Sequence, residues 1–191
     1  MFARHFCLFL IVFFTAACEI TADKPDFDDI RFNAQQPLRL DVARIEIDLR
    51  YRAPLSAPNV EHNFPITPEQ VLKNWANDRL RATGTQGVAT FTIEKASVVE
   101  TKLKKRTGLT AFFTNQQTER YDGHVKVILH VLRDDSQGRI TAEATRSQTA
   151  AEHISLNNRD RIYYQLTRDL ITALDQEVEA KARQYLSDFL F

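Results

Sequence analysis

Between Tyr121 and Thr149 the chain alternates with a period of two for longer than any other segment. Tyr121, Gly123, Val125, Val127, Leu129 and Val131 share one parity, and His124, Lys126, Ile128 and His130 share the other. After Asp134-Asp135-Ser136-Gln137-Gly138 the alternation resumes, with Ile140, Ala142 and Ala144 against Thr141, Glu143, Thr145 and Ser147. A helix would mix these two sets on every face, whereas a strand separates them cleanly. The segment therefore predicts a long β-hairpin with one apolar face that other elements must cover. Gly138 is the residue available for a positive φ in its turn.

The covering elements are legible on either side. Thr67-Pro68-Glu69-Gln70 opens a helix: Thr67 can accept from exposed amides, Pro68 sits where no N–H is needed, and Gln70 completes a capping box. Val71, Leu72, Trp75, Ala76 and Leu80 follow at helical spacing, and Gly84 and Gly87 are expected to end that helix. Trp75 reads as its core anchor. Leu156-Asn157-Asn158 is expected to cap a final helix with a stripe of Tyr163, Leu166, Leu170, Leu174, Val178 and Tyr185. About 30 residues of helix extend roughly 45 Å. Four strands span only about 20 Å, so the last turns should overhang the sheet or meet the N-terminal segment.

Two further strand regions carry parity switches. Leu38, Leu40 and Val42 alternate, then Ile45, Ile47, Leu49 and Tyr51 do so on the opposite parity. From Ala89 to Leu103, Phe91 and Ile93 give way to Ala96 and Val98. One extra residue flips every side chain to the other face, so each switch predicts a bulge or bend. Arg52 to Ile66 holds Pro54, Pro58 and Pro65 and reads as a loop. The order is strand, helix, strand, strand, strand, helix. This predicts an α+β domain, a mostly antiparallel four-stranded sheet with two helices packed on one face. The strands flanking the first helix are the candidates for a parallel pair with a right-handed crossover.

The N-terminus has a separate logic. Arg4 is followed by an apolar run from Phe6 to Phe14 and then by Thr15-Ala16-Ala17-Cys18. A charged start, a short apolar run and small residues make a secretory signal. The run is about nine residues, too short to span a bilayer core that needs about 20. The closing cysteine makes the segment resemble a bacterial lipoprotein signal. That resemblance implies cleavage before Cys18 and fatty acylation (diacylglycerol and palmitate-type chains) of Cys18. Residues 1–17 would be the signal, 18–36 the lipidated cysteine and a flexible acidic tether, and 37–191 a single domain. Phe27 and Phe32 are the tether residues able to dock on that domain. Each buried methylene of an acyl chain adds about 0.8 kcal/mol of membrane affinity. In such lipoproteins the next residue influences sorting. Glu19 is a weak retention signal, so the expected place is the periplasmic leaflet of the outer membrane, with the inner membrane as the alternative.

Composition bounds the rest. The chain has 25 basic and 25 acidic residues, and loss of Arg4 with the signal leaves a formal charge of −1. That balance does not suggest nucleic acid as a partner. Cys7 lies in the signal, so no intrachain disulfide is available to the mature chain. His62, His124, His130 and His153 lack metal-ligand spacing. His124 and His130 share a face but sit roughly 20 Å apart along a strand. No zinc-protease, EF-hand, phosphate-loop or nucleophile-elbow motif occurs. The residues give no metal, no cofactor and no catalytic constellation, and an enzyme is not expected.

One internal segment stands out. Lys102, Lys104, Lys105 and Arg106 precede Leu109, Phe112 and Phe113 between two strands. Cations beside large apolar residues suit anionic lipid head groups, since the cations bind phosphate and the aromatics insert at the interface. The same residues suit a protein partner. They equally suit a long hairpin whose Phe112 and Phe113 fold back over the sheet edge.

The helix opening Thr67-Pro68-Glu69-Gln70 with Trp75, the hairpin and the capped last helix resemble, in layout, two lipoprotein families of Gram-negative envelopes. These are the plug of the lipopolysaccharide translocon (LptE) and the PqiC-like auxiliary lipoproteins of ABC-type lipid transporters. The stretch from Trp75 to Ala82 and on through Ala96 to Glu100 is similar to a group of uncharacterised alphaproteobacterial lipoproteins. The resemblance implies a non-enzymatic periplasm-facing lipoprotein, accessory to envelope lipid or lipopolysaccharide transport or assembly. Its partners would be the membrane, through Cys18, and an envelope transport or assembly protein. The alternative is a structural protein-interaction lipoprotein with no lipid ligand.

Overall fold

The computed structural model describes residues 26–104 and 117–191. Its elements run β1 (Leu38–Leu40), β2 (Arg44–Leu49), α1 (Pro68–Arg79), β3 (Leu80–Ala82), β4 (Val88–Lys102), β5 (Gln117–Arg133), β6 (Ser136–Ala151) and α2 (Leu156–Tyr185). The architecture is α+β, as the residue pattern predicts. The main sheet has the order β2-β4-β5-β6 and is mixed: β2 runs parallel to β4, while β4–β5 and β5–β6 are antiparallel. Both helices pack on one face, α1 against β4 and α2 along β6 and β5.

Each parity switch has a structural cause. Asp41, Val42 and Ala43 separate β1 from β2, and the two strands enter different sheets. In β4 the register slips between Ile93 and Lys95, leaving Glu94 as the extra residue. The slip keeps Phe91, Ile93, Ala96 and Val98 all buried beneath the helices.

Helix α1 starts where expected: Thr67 Oγ1 accepts from the Gln70 amide at 3.2 Å, with Pro68 as first helical residue. The reciprocal half of the capping box is not made, because Gln70 Nε2 donates to Asn74 Oδ1 at 3.0 Å. The helix also ends earlier than Gly84 and Gly87 suggest. Leu80–Ala82 leaves it as β3 and pairs in parallel with β1. Strand pairing, not glycine, terminates the helix. Gly87 serves the chain reversal after it, at φ +82°, where an added Cβ would lie 2.4 Å from the Leu132 carbonyl oxygen.

The β5–β6 turn is tighter than the sequence implies. Arg133 pairs with Ser136, so Asp134-Asp135 is the whole loop, and Asp134 takes the positive φ of 49°. Gly138 lies within β6 instead. An added Cβ there would meet Leu186 Cδ2 at 2.5 Å and Phe189 Cε2 at 2.8 Å, so glycine admits the end of the last helix.

Helix α2 spans 30 residues, capped by Ser155, whose side chain accepts from the Asn158 amide, and not by the Leu156-Asn157-Asn158 stretch itself. Tyr163, Leu166, Leu170, Leu174 and Val178 form the buried stripe. It continues through Ala182 and Leu186, while Tyr185 is 61% exposed on the outer side. The overhanging end meets the N-terminal segment. Leu190 bridges Leu40, the Asp41 amide donates to Phe189 O at 2.9 Å, and the Phe191 amide donates to Arg39 O at 3.0 Å. These residues line the small β1–β3 sheet on its other side.

The stretch Asp26–Gln36 lies on the helices. Phe27 stacks on Tyr164 with centroids 5.0 Å apart, and Ile30 and Phe32 are buried. Most of the core is one cluster between sheet and helices, around Leu40, Leu72, Trp75, Phe91, Leu129, Leu170 and Leu174. A smaller cluster of Val60, Phe64, Val98, Tyr121, Ala150, Tyr163 and Leu166 sits at the far end. Among the described residues no helix is long and apolar enough to cross a membrane.

Candidate functional site

The basic-aromatic segment springs from that far end. Lys102 closes β4 opposite Glu119 of β5, and the Leu103 amide donates to Thr118 O at 2.8 Å, so the two strands stay paired to the root of the segment. Lys102 and Lys104 are exposed and have no ion-pair partner among the described residues. Lys105, Arg106, Leu109, Phe112 and Phe113 lie outside the described residues, as does Cys18. The structure thus brings Lys102 and Lys104 to the tip of one hairpin.

Three other elements converge there. Thr118 and Glu119 of β5, with Glu152 and His153 of the β6–α2 connection, line an open depression beside Lys102 and Leu103. His153 has a positive φ of 61°. Beneath lies a ring cluster. Phe64 stacks on Tyr163 at 4.1 Å between centroids, and Tyr121 meets Tyr163 edge-on at 5.0 Å. The Tyr121 hydroxyl donates to Glu119 Oε2 at 2.5 Å, and Arg159 Nη2 donates to the same oxygen at 3.0 Å. Burial, then the bond to Glu119, pushes the Tyr121 hydroxyl well above the ordinary phenol range. Tyr163 is raised too, chiefly by burial. A neutral tyrosine is therefore held as a donor under the hairpin tip, and its role is to fix Glu119 and the base of the segment.

A second polar centre was not anticipated from the sequence. Arg79, 1% exposed, donates from Nε to Asp175 Oδ1 at 2.7 Å and from Nη2 to Glu179 Oε2 at 2.7 Å. Its Nη1 bonds the Gln36 carbonyl. Trp75 Nε1 donates to Asp175 Oδ1 at 2.8 Å, so the tryptophan is a core anchor with its one polar atom satisfied. Next to it Asp78 accepts from Arg31 Nε at 2.8 Å and from the Phe32 amide at 2.9 Å. The Arg31 bond is the main cause holding the Asp78 carboxyl below its usual range. Glu179 is lowered first by its bond from Arg183, with Arg79 adding to it. This centre joins the N-terminal segment, α1 and α2. A signal existed in the sequence: Arg79 falls four residues after Trp75 and Asp175 four after Ile171, both on apolar stripes.

Glu61, in a single 3-10 turn (Glu61–Asn63), is buried as well. It accepts from Tyr51 Oη at 2.5 Å, from Asn59 Nδ2 at 3.3 Å and from the Val98 amide at 3.0 Å. Burial, then the bond to Glu61, raises the Tyr51 hydroxyl. These bonds seat the Pro-rich loop on β4, and among the described residues no cation takes part.

The histidines are dispersed. His62 is exposed, His124 lies 2.5 Å from Glu143, His130 faces the open side of the sheet, and His153 is on the surface. Among the described residues no group of three or more His, Cys, Asp or Glu side chains could hold a metal ion.

No protein-family model and no curated protein matches the chain. Among solved structures it is similar to a PelC dodecamer from Paraburkholderia phytofirmans, at 13% identity over 73% of this chain and 92% of that chain, with a TM-score of 0.23. At that score the overlap carries no argument about fold or function.

Proposed function

We propose that this protein is a non-enzymatic lipoprotein of the bacterial envelope, anchored through acyl chains on Cys18 and accessory to lipid or lipopolysaccharide transport or assembly. The observation that carries the reading is the run Thr15-Ala16-Ala17-Cys18 after a short apolar stretch. The periplasmic leaflet of the outer membrane is its proposed place. Lys102 and Lys104 support a contact role, being exposed and without an ion-pair partner among the described residues, at the root of a segment that adds Lys105, Arg106, Leu109, Phe112 and Phe113. Cations with adjacent aromatics recognise anionic head groups.

The test has two parts. Cys18→Ser should move the protein from the membrane to the soluble envelope fraction. Replacing Lys104, Lys105 and Arg106 with Ser should leave the fold intact and weaken binding to vesicles containing phosphatidylglycerol, in a salt-dependent way. Retention of Cys18→Ser in the membrane would overturn the anchor. Unchanged vesicle binding at low salt would overturn the electrostatic contact.

The second reading is a structural lipoprotein that docks an envelope protein. What favours it is β6, a 16-residue edge strand with Glu143, Thr145 and Ser147 exposed. An open edge is a template for an added strand. Cross-links from residues 141–147 to one envelope protein, with no lipid recovered at the hairpin tip, would favour this reading over the first.

A further inference from the structure

The helix-free face of the sheet gathers a separate set of donors. Thr90 of β4 pairs with His130 of β5, and His130 pairs with Arg139 of β6. Residues paired across neighbouring strands project to the same face about 5 Å apart. Thr92, Ile128 and Arg50 complete the wall of one open depression around this row. Thr92 and Ile128 form its floor, each 5% exposed. Glu119, at the hairpin tip, lies eleven residues along β5 from His130, roughly 36 Å at the rise of a strand. The depression is thus distinct from the basic-aromatic segment.

Most charges on this face are already engaged. Arg44 pairs with Glu46 at 2.8 Å, Arg50 with Asp48 at 2.7 Å, Arg120 with Asp122 at 2.9 Å and Lys126 with Glu94 at 2.9 Å. The acids nearest the depression, Glu46 and Asp48, are therefore held by Arg44 and Arg50, and Glu143 lies against His124. The Arg139 guanidinium, the His130 ring and the hydroxyls of Thr90 and Thr92 make no hydrogen bond or ion pair among the described residues. Arg50 bonds Asp48 through Nε, and its terminal nitrogens make no hydrogen bond among the described residues. The depression thus collects donor-bearing side chains from three strands and one loop end, and no carboxylate is among the residues that line it. A guanidinium fork matches the oxygens of a phosphate, and hydroxyl and imidazole donors complete the match.

We propose that this depression binds a phosphate group. Arg139 and Arg50 approach it from opposite walls, His130 and Thr90 donate between them, and Thr92 donates from the floor. The phosphate is carried either by a lipid head group or by a small water-soluble phosphate ester. The assignment does not depend on the envelope reading.

The experiment uses the full chain in a non-ionic detergent, titrated with inorganic phosphate at low ionic strength and followed by calorimetry and by the His130 ring resonances. Arg139→Ala should weaken phosphate binding about tenfold, with Arg139→Lys retaining part of it. Arg120→Ala, on the same face but outside the depression, should change neither affinity nor the His130 shifts. Thermal melting should be unchanged in all three, since these side chains are exposed. Equal loss in Arg120→Ala and Arg139→Ala, or no loss in Arg139→Ala, would overturn the site in favour of diffuse charge attraction. Glycerol phosphate and short-chain phosphatidic acid then separate the sources. Tighter binding of the lipid, abolished by Arg139→Ala, assigns a head group, and equal binding assigns a soluble ester.

Discussion

Two regions of this domain bury carboxylates, and they do so with opposite chemistry. At the N-terminal side the buried Asp78 and Asp175 are held by Arg31 and Arg79, with the half-exposed Glu179 beside them bonded by Arg79 and Arg183. Towards the hairpin tip the buried Glu61 is held by the Tyr51 hydroxyl, and the half-buried Glu119 by the Tyr121 hydroxyl and Arg159. The first arrangement joins segments far apart in the sequence and carries its own counter-charge. The second keeps the buried Glu61 in place with neutral donors alone, from Tyr51, Asn59 and the Val98 amide. The lesson is that the same problem, an acid out of water, is solved by charge pairing where three segments must be clamped. It is solved by hydrogen bonding where one loop must be seated.

The sharpest way to break the comparison is at Arg79. Arg79→Ala should cost about 3–5 kcal/mol, because Asp175 is left buried without its cation. Replacing Arg79 by Met together with Asp175 by Leu should recover only part of that loss in urea unfolding, because Trp75 Nε1 and the Gln36 carbonyl lose their partners. At the other region Glu61→Ala should cost less, about 1–3 kcal/mol, by stranding the Tyr51 hydroxyl and the Val98 amide. Equal losses at the two sites would erase the distinction.

The smallest effects are in pH dependence, and they should have opposite signs. Asp78 and Glu179 have folded values below their unfolded ones. Their contribution is full above the ordinary carboxylate range, about pH 4, and is lost as pH falls through the depressed folded values. Tyr51, Tyr121 and Tyr163 are raised. Their contribution is full below about pH 10, the ordinary phenol value, and is lost as pH rises towards the raised folded values. Asp78→Asn should therefore flatten the acid limb of a stability profile, and Tyr51→Phe the alkaline limb. Stability curves of the two variants against pH would check this, and a change on the opposite limb in either would refute the assignment.

Much of the fold was legible because it rests on local physics. Thr67 and Pro68 mark a helix start in any context, and alternation from Tyr121 to Val131 leaves no option but a strand. The parity switches at Val42/Ile45 and Ile93/Ala96 gave the chain break and the bulge. What failed depended on partners distant in sequence. Gly84 and Gly87 look like a helix end, yet β1 claims Leu80–Ala82 first. Gly138 looks like a turn residue, yet its space is taken by Leu186 and Phe189. For the candidate site, the exposed positions of Lys102 and Lys104 follow from a hairpin tip. The row of Thr90, His130 and Arg139 does not, because alternation fixes which face a residue occupies but not what stands beside it. Only register across three strands does that.

The bonds that Phe189, Leu190 and Phe191 make to Arg39, Leu40 and Asp41 carry a kinetic consequence. A chain emerging from its N-terminus gains β3 for one edge of β1, and Asp78 for the Phe32 amide, by residue 82, but the cover for the other edge of β1 arrives last, just beyond α2. The β4–β5–β6 meander can pair as soon as it is made, since its β5–β6 turn is short and its contacts are local. The outer edge of β1 and the ring of Phe27 must instead wait, uncovered, until α2 and the residues after it are made. That apolar edge therefore stays open to non-native contacts until residues 189–191 are made, after the sheet itself can already have closed.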